Sequence, residues 1–520
     1  MKNKIKSNLK NKKGAVSLLV AITIFTFIAI LVGGYLTIMI LRQSQYESNS
    51  RIQQIYGKDV DRVDEIYAEL EEYINSKPVA APEKSEESSF DRTYGVIEVE
   101  FLNGTSYEIA DKPNAPKVAS DMKKVYWEEV EAEDGTIEVK EILEGDEGFD
   151  EKKWYEYTAQ TGNTQQGGTS KWANAVTFDG EGNIDAYWVW IPRYAYRIIY
   201  FDTQEHENAY RQNGTTEGIV GYSDSRGFVH PDGTTPSDME EPVTSIAVGE
   251  NMLRPHPAFE DGSKTGYTQG EWTDILEGIW IAKYETSGTG DSLKVLPGVQ
   301  SLRSVSIGDM YTYAINYNKA KKSHMLKNSE WGAVAYFTES KYGRNGTVVS
   351  SNSTGYYTAG EDGATVESNP LQSTTGNYYG IYDTVGGAFE YVTAYIADAS
   401  YNYANSFAST NNTYNDKITS TEYSTVYDMV STESLVYANY IKSTNKKFGD
   451  AIIETSTAGG GITSWNSASS NFVGVVSNNH YPFFLRGGNY ANNYAGLLSS
   501  YSYNGNSDSN FSFRLALLTM

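Results

Sequence analysis

The sequence predicts an α+β chain: a long amino-terminal helix, a small β-rich spacer, then a loop-rich mixed domain. Three observations predict it. Residues 15–41 contain no charged side chain. Short apolar runs with turn pairs at Asn103-Gly104 and Asp134-Gly135 follow a linker. From Trp154 onward Lys becomes sparse, and Tyr, Trp, Gly, Ser and Asn dominate. The expected layout is a basic leader at 1–14, a transmembrane and amphipathic stalk helix at 15–75 and a flexible linker at 76–92. An acidic β-rich spacer at 93–150 and the main domain at 151–520 complete it.

Composition removes several chemistries at once. The 520 residues include no cysteine. Disulfides, thiol nucleophiles, cysteine-ligated zinc and iron–sulfur clusters are therefore out of reach. The formal net charge is -24. The basic side chains Lys2, Lys4, Lys6, Lys10, Lys12, Lys13 and Arg42 cluster before the linker, so the remainder is more acidic than that total. An acidic body repels phosphate backbones, which argues against nucleic-acid partners.

Residues 15–41 as a helix span ~40 Å, more than the ~30 Å hydrocarbon core of a bilayer. The preceding lysines place the amino terminus in the cytoplasm and the bulk outside the cell. A cleaved secretory signal is the competing reading, but its apolar region is usually shorter. Beyond it, Ile52, Tyr56, Asp59, Val63, Ile66, Leu70 and Tyr73 recur at alternating spacings of four and three. This stripe predicts a helix with one apolar seam, packed on another helix or on its own domain. Lysines, Gly14, and an apolar stretch that continues as an amphipathic one together resemble a type IV prepilin amino terminus. The resemblance implies cleavage between Gly14 and Ala15 and packing with other pilin-like subunits. It departs at the fifth mature position, where the family usually has Glu and this chain has Leu19.

"SKPVAAPEKSEESSF" breaks the helical pattern and reads as a solvated linker. "YGVIEVEFLNGTSYEI" and "VYWEEVEAEDGTIEVKEIL" read as hairpins. Further on, "AYWVWIPRYAYRIIYF" and "GIWIAKYETS" read as strands, and "SIGDMYTYAINYNKA" and "KNSEWGAVAYFTES" as amphipathic helices.

"GIWIAKYETS", "HMLKNSEWGAVAYF", "NYYGIYDTVGGAFEYV" and "FFLRGGNY…FSFRLAL" occur in that order. Together they resemble the formylglycine-generating-enzyme-like, or sulfatase-modifying-factor, domain over about 240 residues. The resemblance implies a C-type-lectin-like α+β fold with two small antiparallel sheets. Trp331, Glu330, Glu390, Arg486, Gly487, Gly488 and Arg514 then form a structural framework. Trp331 and Phe389 are core bodies, and the arginines tie loop carbonyls or pair with a buried carboxylate such as Glu330 or Glu390.

The resemblance invites an enzymatic reading, which the residues weaken. Copper-dependent members hold the metal through two cysteines, and this chain has none. An iron-binding branch uses three histidines. His206, His230, His256, His324 and His480 form no HxxxH or HxH pair. No nucleophile elbow, P-loop or dinucleotide fingerprint occurs. "DGEGNIDA" opens like a calcium loop, but Ile184 stands where an EF-hand needs Gly, so a polar turn is expected. The family's calcium site leaves Glu390 as a weak candidate ligand, because Gly387 replaces its Asn. No cofactor is expected beyond that calcium.

What remains is the polar stretch between "FFLRGG" and "FSFRLAL". Asn, Tyr, Ser and Gly supply contact area and adaptable hydrogen bonds in recognition loops. Tyr490, Asn492, Asn493, Tyr494, Tyr501, Tyr503, Asn504, Asn506, Asp508 and Asn510 are the candidate ligand-binding face. Solvent-facing filler is the alternative. The expected function is a non-catalytic bacterial surface protein, anchored in the membrane by one helix or carried on a pilus. Its far domain recognises an extracellular glycan or protein in adhesion. The rivals are a metal-dependent oxidoreductase of the formylglycine-generating type and a structural minor pilin.

Overall fold

Tyr94–Leu102 opens the fold as a strand and lies antiparallel to Tyr194–Phe201 over its whole length. Its burial alternates only loosely, because both faces are covered. The computed structural model describes residues 93–132, 134–234, 246–261, 272–397, 421–428, 448–452, 454–455, 472–473, 483–491 and 495–519. Gly14, Ala15 and the stretch expected as leader, membrane helix, stalk and linker lie outside the described residues.

The α+β expectation, with its long leading helix, is corrected. The described residues are mostly β, with three α-helices: α1 (Gln204–Asn213), α2 (Ile307–Tyr317) and α3 (Asn328–Glu339). No helix among them is long and apolar enough to cross a membrane. The physical reason lies in the apolar runs. They are short, rich in β-branched and aromatic side chains and bounded by turns, which suits a pleated surface. Four sheets result, rather than two small ones.

The first sheet is built around Tyr94–Leu102 and Tyr194–Phe201, with Ile109–Ala110, Ile219–Asp224, Gly227–Val229 and Arg254–Pro255 added to it. The second runs His324–Met325, Leu515–Leu517, Gly278–Ala282, Ile184–Pro192, Asn174–Phe178, Lys123–Glu131 and Ile137–Leu143. Ser287–Thr289 and Ser292–Lys294 form a small hairpin. The fourth runs Thr425–Asp428, Phe389–Ala397, Phe483–Gly487, Gly496–Tyr503 and Phe472–Val473, with Phe511–Phe513 beside Phe389–Ala397.

Both hairpins expected in 93–150 are present. Gly135 takes a left-handed conformation, φ 82°, at the Asp134-Gly135 turn. However, 93–150 is no separate spacer. Its strands pair with Tyr194–Phe201 in one sheet and with Asn174–Phe178 in another. Lys84–Met520 is one compact unit.

"AYWVWIPRYAYRIIYF" splits at Arg193 into two strands in different sheets. "FSFRLAL" splits likewise at Arg514. Phe511 to Leu518 are all buried, so this closing segment does not alternate between an inward and an outward face. Both splits fall at an arginine held by a carboxylate: Arg193 donates to Glu260 at 2.7 Å, and Arg514 to Glu390.

α3 is the fold's central helix. The sequence suggests an amphipathic helix, but all its residues are buried. It packs Trp331, Val334 and Phe337 into one large cluster with Tyr194, Ile198 and Phe484. A second cluster gathers Trp188, Trp190, Trp280, Tyr391 and Phe513. Gly332 is required in α3: a Cβ there would stand 1.8 Å from the carbonyl oxygen of Gly449.

Candidate recognition surface

The framework residues come together beneath the surface. The Arg514 guanidinium grips Glu390 with two bonds, Nε to Oε2 at 2.9 Å and Nη2 to Oε1 at 2.5 Å. It also donates to the carbonyls of Ala282 and Tyr382, each at 2.9 Å. Burial pushes the Glu390 carboxyl up, against the pull of Arg514. Glu330 does not pair with an arginine. It accepts from Lys327 N at 2.9 Å and faces His324 Nε2 at 3.0 Å. Burial pushes its carboxyl up, yet His324 and Lys327 outweigh that and hold it below its usual range. The Arg486 guanidinium faces Trp331 and donates to Asn328 and to the carbonyls of Asp450 and Ala451.

Two further acids join this centre, and sequence reasoning missed both. Glu285 accepts from Ala388 N at 2.8 Å and from the Ser301 hydroxyl. Asp383 accepts from Ala359 N and Asn352 Nδ2, each at 3.0 Å. Burial raises Asp383 to about 6, opposed by Arg514. It raises Glu285 well above its usual value, helped by Asp383 and Glu390. Perturbed acids often mark active sites. Here, however, each carboxylate is fully buried and held by protein donors, which is the pattern of a structural network.

Glu390 is thus committed to Arg514. Gly387, φ 67°, leaves no room for an Asn, because a Cβ there would stand 2.5 Å from Glu285 Oε1. Among the described residues no three His, Asp or Glu side chains converge as a metal site. "DGEGNIDA" is a polar turn: Asp179 Oδ1 accepts from Glu181 N at 3.0 Å and Asn183 N at 2.9 Å.

The polar terminal stretch is no single loop. Gly496–Tyr503 is a strand paired with Phe483–Gly487, placing Tyr503 opposite Phe483 and Tyr501 opposite Leu485. The alternation of the strand puts Tyr501 and Tyr503 on one face. Both are half-buried, against the core that holds Tyr391 and Phe511. Phe389 completes a row: its ring lies 6.0 Å from that of Tyr501, which lies 6.5 Å from Tyr503.

A second aromatic group adjoins this row. Tyr490 is held by a bond from its N to Gly387 O at 3.0 Å. Its ring meets Tyr356 edge to face at 4.7 Å. Asn510 links the two groups. Its side-chain oxygen accepts from the Tyr356 hydroxyl, and its carbonyl accepts from Phe389 N at 2.9 Å. Asp508 Oδ1 in turn accepts from both Asn510 N and Nδ2 at 2.8 Å. Burial raises the Tyr356 hydroxyl, helped by Tyr490 and opposed by Arg303. The Arg303 guanidinium lies 3.9 Å over the Tyr356 ring and donates to Ser509 O.

Of the expected ligand face, Tyr490, Tyr501, Tyr503, Asp508 and Asn510 come together in this way. Asn504 accepts from Asn506 N at 3.0 Å, and Asn506 is exposed. Asn492, Asn493 and Tyr494 lie outside the described residues. Tyr356, Arg303 and Phe389 complete the surface, and sequence reasoning missed their part in it. The signal for Tyr356 was its place in "STGYYTAG", which the surrounding Ser- and Tyr-rich texture hides.

No family model matches this chain. No curated protein matches it either.

Proposed function

We propose that this chain is a non-catalytic recognition protein. It binds its ligand on the surface made by Phe389, Tyr501, Tyr503, Tyr490, Tyr356 and Asn510. One observation carries the reading: half-buried aromatic rings from separate segments meet on paired strands and a hydrogen-bonded loop. Rings held this way present contact area without losing rotamer freedom on binding. The motif resemblance to the formylglycine-generating family belongs to the same proposal. On this reading the chain keeps that family's framework residues and lacks its copper-binding cysteines. A cell-surface location is also part of it, supported by the uncharged run 15–41 behind the lysines.

The test is a binding screen of the purified chain against glycans and cell-surface proteins. It is repeated with Tyr356→Ala, Tyr490→Ala, Tyr501→Ala and Tyr503→Ala. Each loss of a central ring should weaken binding by ~1–3 kcal/mol while the fold melts cooperatively. Binding untouched by all four substitutions removes the site from this surface. Stoichiometric copper or iron in the purified chain would instead favour the oxidoreductase reading.

A further inference from the structure

Arg303 is out of keeping with the rest of the molecule. Among the described residues, the other arginines that are not fully buried each hold a carboxylate. Arg197 pairs with Glu98, Arg211 with Glu207 and Arg226 with Asp224. Among the described residues Arg303 has no carboxylate within ion-pair distance, in a chain of net charge -24. Its guanidinium is nonetheless fixed. Tyr356 sets its plane at 3.9 Å, and the bond from Nη1 to Ser509 O sets its rotation. Among the described residues Nη1 is the guanidinium nitrogen with a hydrogen-bond acceptor, and Nε is buried without a partner. Asp508, on the same loop, directs Oδ1 to Asn510 instead.

A partly desolvated cation fixed by stacking, with Nη2 left over, is an anion site of the single-donor kind. It stands beside half-buried rings and amide groups. Saccharides present an apolar C–H face to such rings and hydroxyls to such amides. From this juxtaposition we infer that the ligand is an acidic saccharide: its carboxylate pairs with Arg303, and its sugar rings lie against Tyr490 and the Phe389–Tyr501–Tyr503 row. The inference rests on the recognition surface proposed above and adds the ligand class. It also accounts for the lack of a carboxylate partner among the described residues, since the ligand supplies one. A half-exposed pair of this kind is screened by salt, so affinity falls as ionic strength rises.

The test measures binding of the full chain to oligogalacturonate and to the matched neutral galacto-oligosaccharide, at low and high salt. Wild type is expected to favour the acidic oligomer by about tenfold at low salt, as one charge-assisted hydrogen bond provides. Arg303→Gln should abolish that preference: the acidic oligomer loses about tenfold more affinity than the neutral one, and the fold still melts cooperatively. Arg303→Lys should restore part of it, because a point charge replaces the fork. Equal affinity for the two oligomers, or a preference that survives Arg303→Gln, overturns the acidic-ligand inference alone. Selective binding of a carboxylate-bearing peptide over both oligomers replaces the saccharide with a peptide and overturns it too. Failure of both oligomers and of every glycan and surface protein to bind overturns this inference together with the recognition surface.

Discussion

Arg514 and Glu390 face each other in parallel, two nitrogens on two oxygens at 2.9 and 2.5 Å, each side chain 1% exposed. The pair ties the strand Phe389–Ala397 to the crossing point between two sheets, because Arg514 sits where Phe511–Phe513 ends and Leu515–Leu517 begins. Removing one partner leaves the other charge buried. Arg514→Met is expected to destabilise the fold by ~3–5 kcal/mol in urea denaturation. The double change Arg514→Met with Glu390→Leu should recover much of that loss. A double variant as unstable as the sum of both single changes would show that the pair does not act as a unit.

Two buried acids, Asp383 in this centre and Glu339 at the end of α3, predict how stability varies with pH. Burial raises Asp383 to about 6 and Glu339 to about 7, with Arg514 and Arg211 opposing. In each case the folded state binds the proton more tightly than the unfolded chain. The stabilisation is present below the unfolded carboxyl range and is lost as pH rises through about 6 to 7. Glu339→Gln should flatten the upper part of that decline in melting temperature. A decline of unchanged slope in the variant would mean that Glu339 does not titrate in this window.

His256 works in the opposite direction. It is fully buried among Tyr194, Tyr196, Phe259 and Tyr336, and burial lowers it to about 3. The folded state therefore holds it neutral, and its contribution is lost as pH falls from about 6.5 toward 3. His256→Gln is expected to remove this part of the acid sensitivity, read by tyrosine fluorescence or circular dichroism across that range. An identical acid transition in the variant would count against it.

Much of the framework was legible in the sequence, and the reason is local. Ser306 precedes α2 and caps it by accepting from Asp309 N at 3.2 Å. Glu330 lies at the N3 position of α3, where its side chain accepts from Lys327 N. Asn103-Gly104 and Asp134-Gly135 announce their hairpins through turn chemistry. The misread parts depend on distant partners. Nothing near Gly496–Tyr503 in sequence marks "GLLSSYSY" as a strand, since its register comes from Phe483–Gly487. Nothing near Arg303 or Tyr356 shows that they meet Ser509 and Asn510, which lie more than a hundred residues away. The class was misjudged for the same reason: long-range pairing turned expected loops into sheet.

Gly387 connects the buried acids to the recognition surface, and this yields the most specific prediction. Its φ of 67° is unfavourable for any side chain, and an added Cβ would stand 2.5 Å from Glu285 Oε1. Its carbonyl accepts from Tyr490 N at 3.0 Å. Gly387→Ala must therefore move either Glu285 or the backbone that positions Tyr490. The expected cost is ~1–3 kcal/mol of stability. If the backbone moves, ligand affinity should fall as far as it does in Tyr490→Ala, and combining the two changes should add little. If Glu285 moves instead, stability falls while affinity holds, and Gly387→Ala with the shorter Glu285→Asp should regain part of the loss. Full stability and full affinity in Gly387→Ala would deny the close approach on which both outcomes depend.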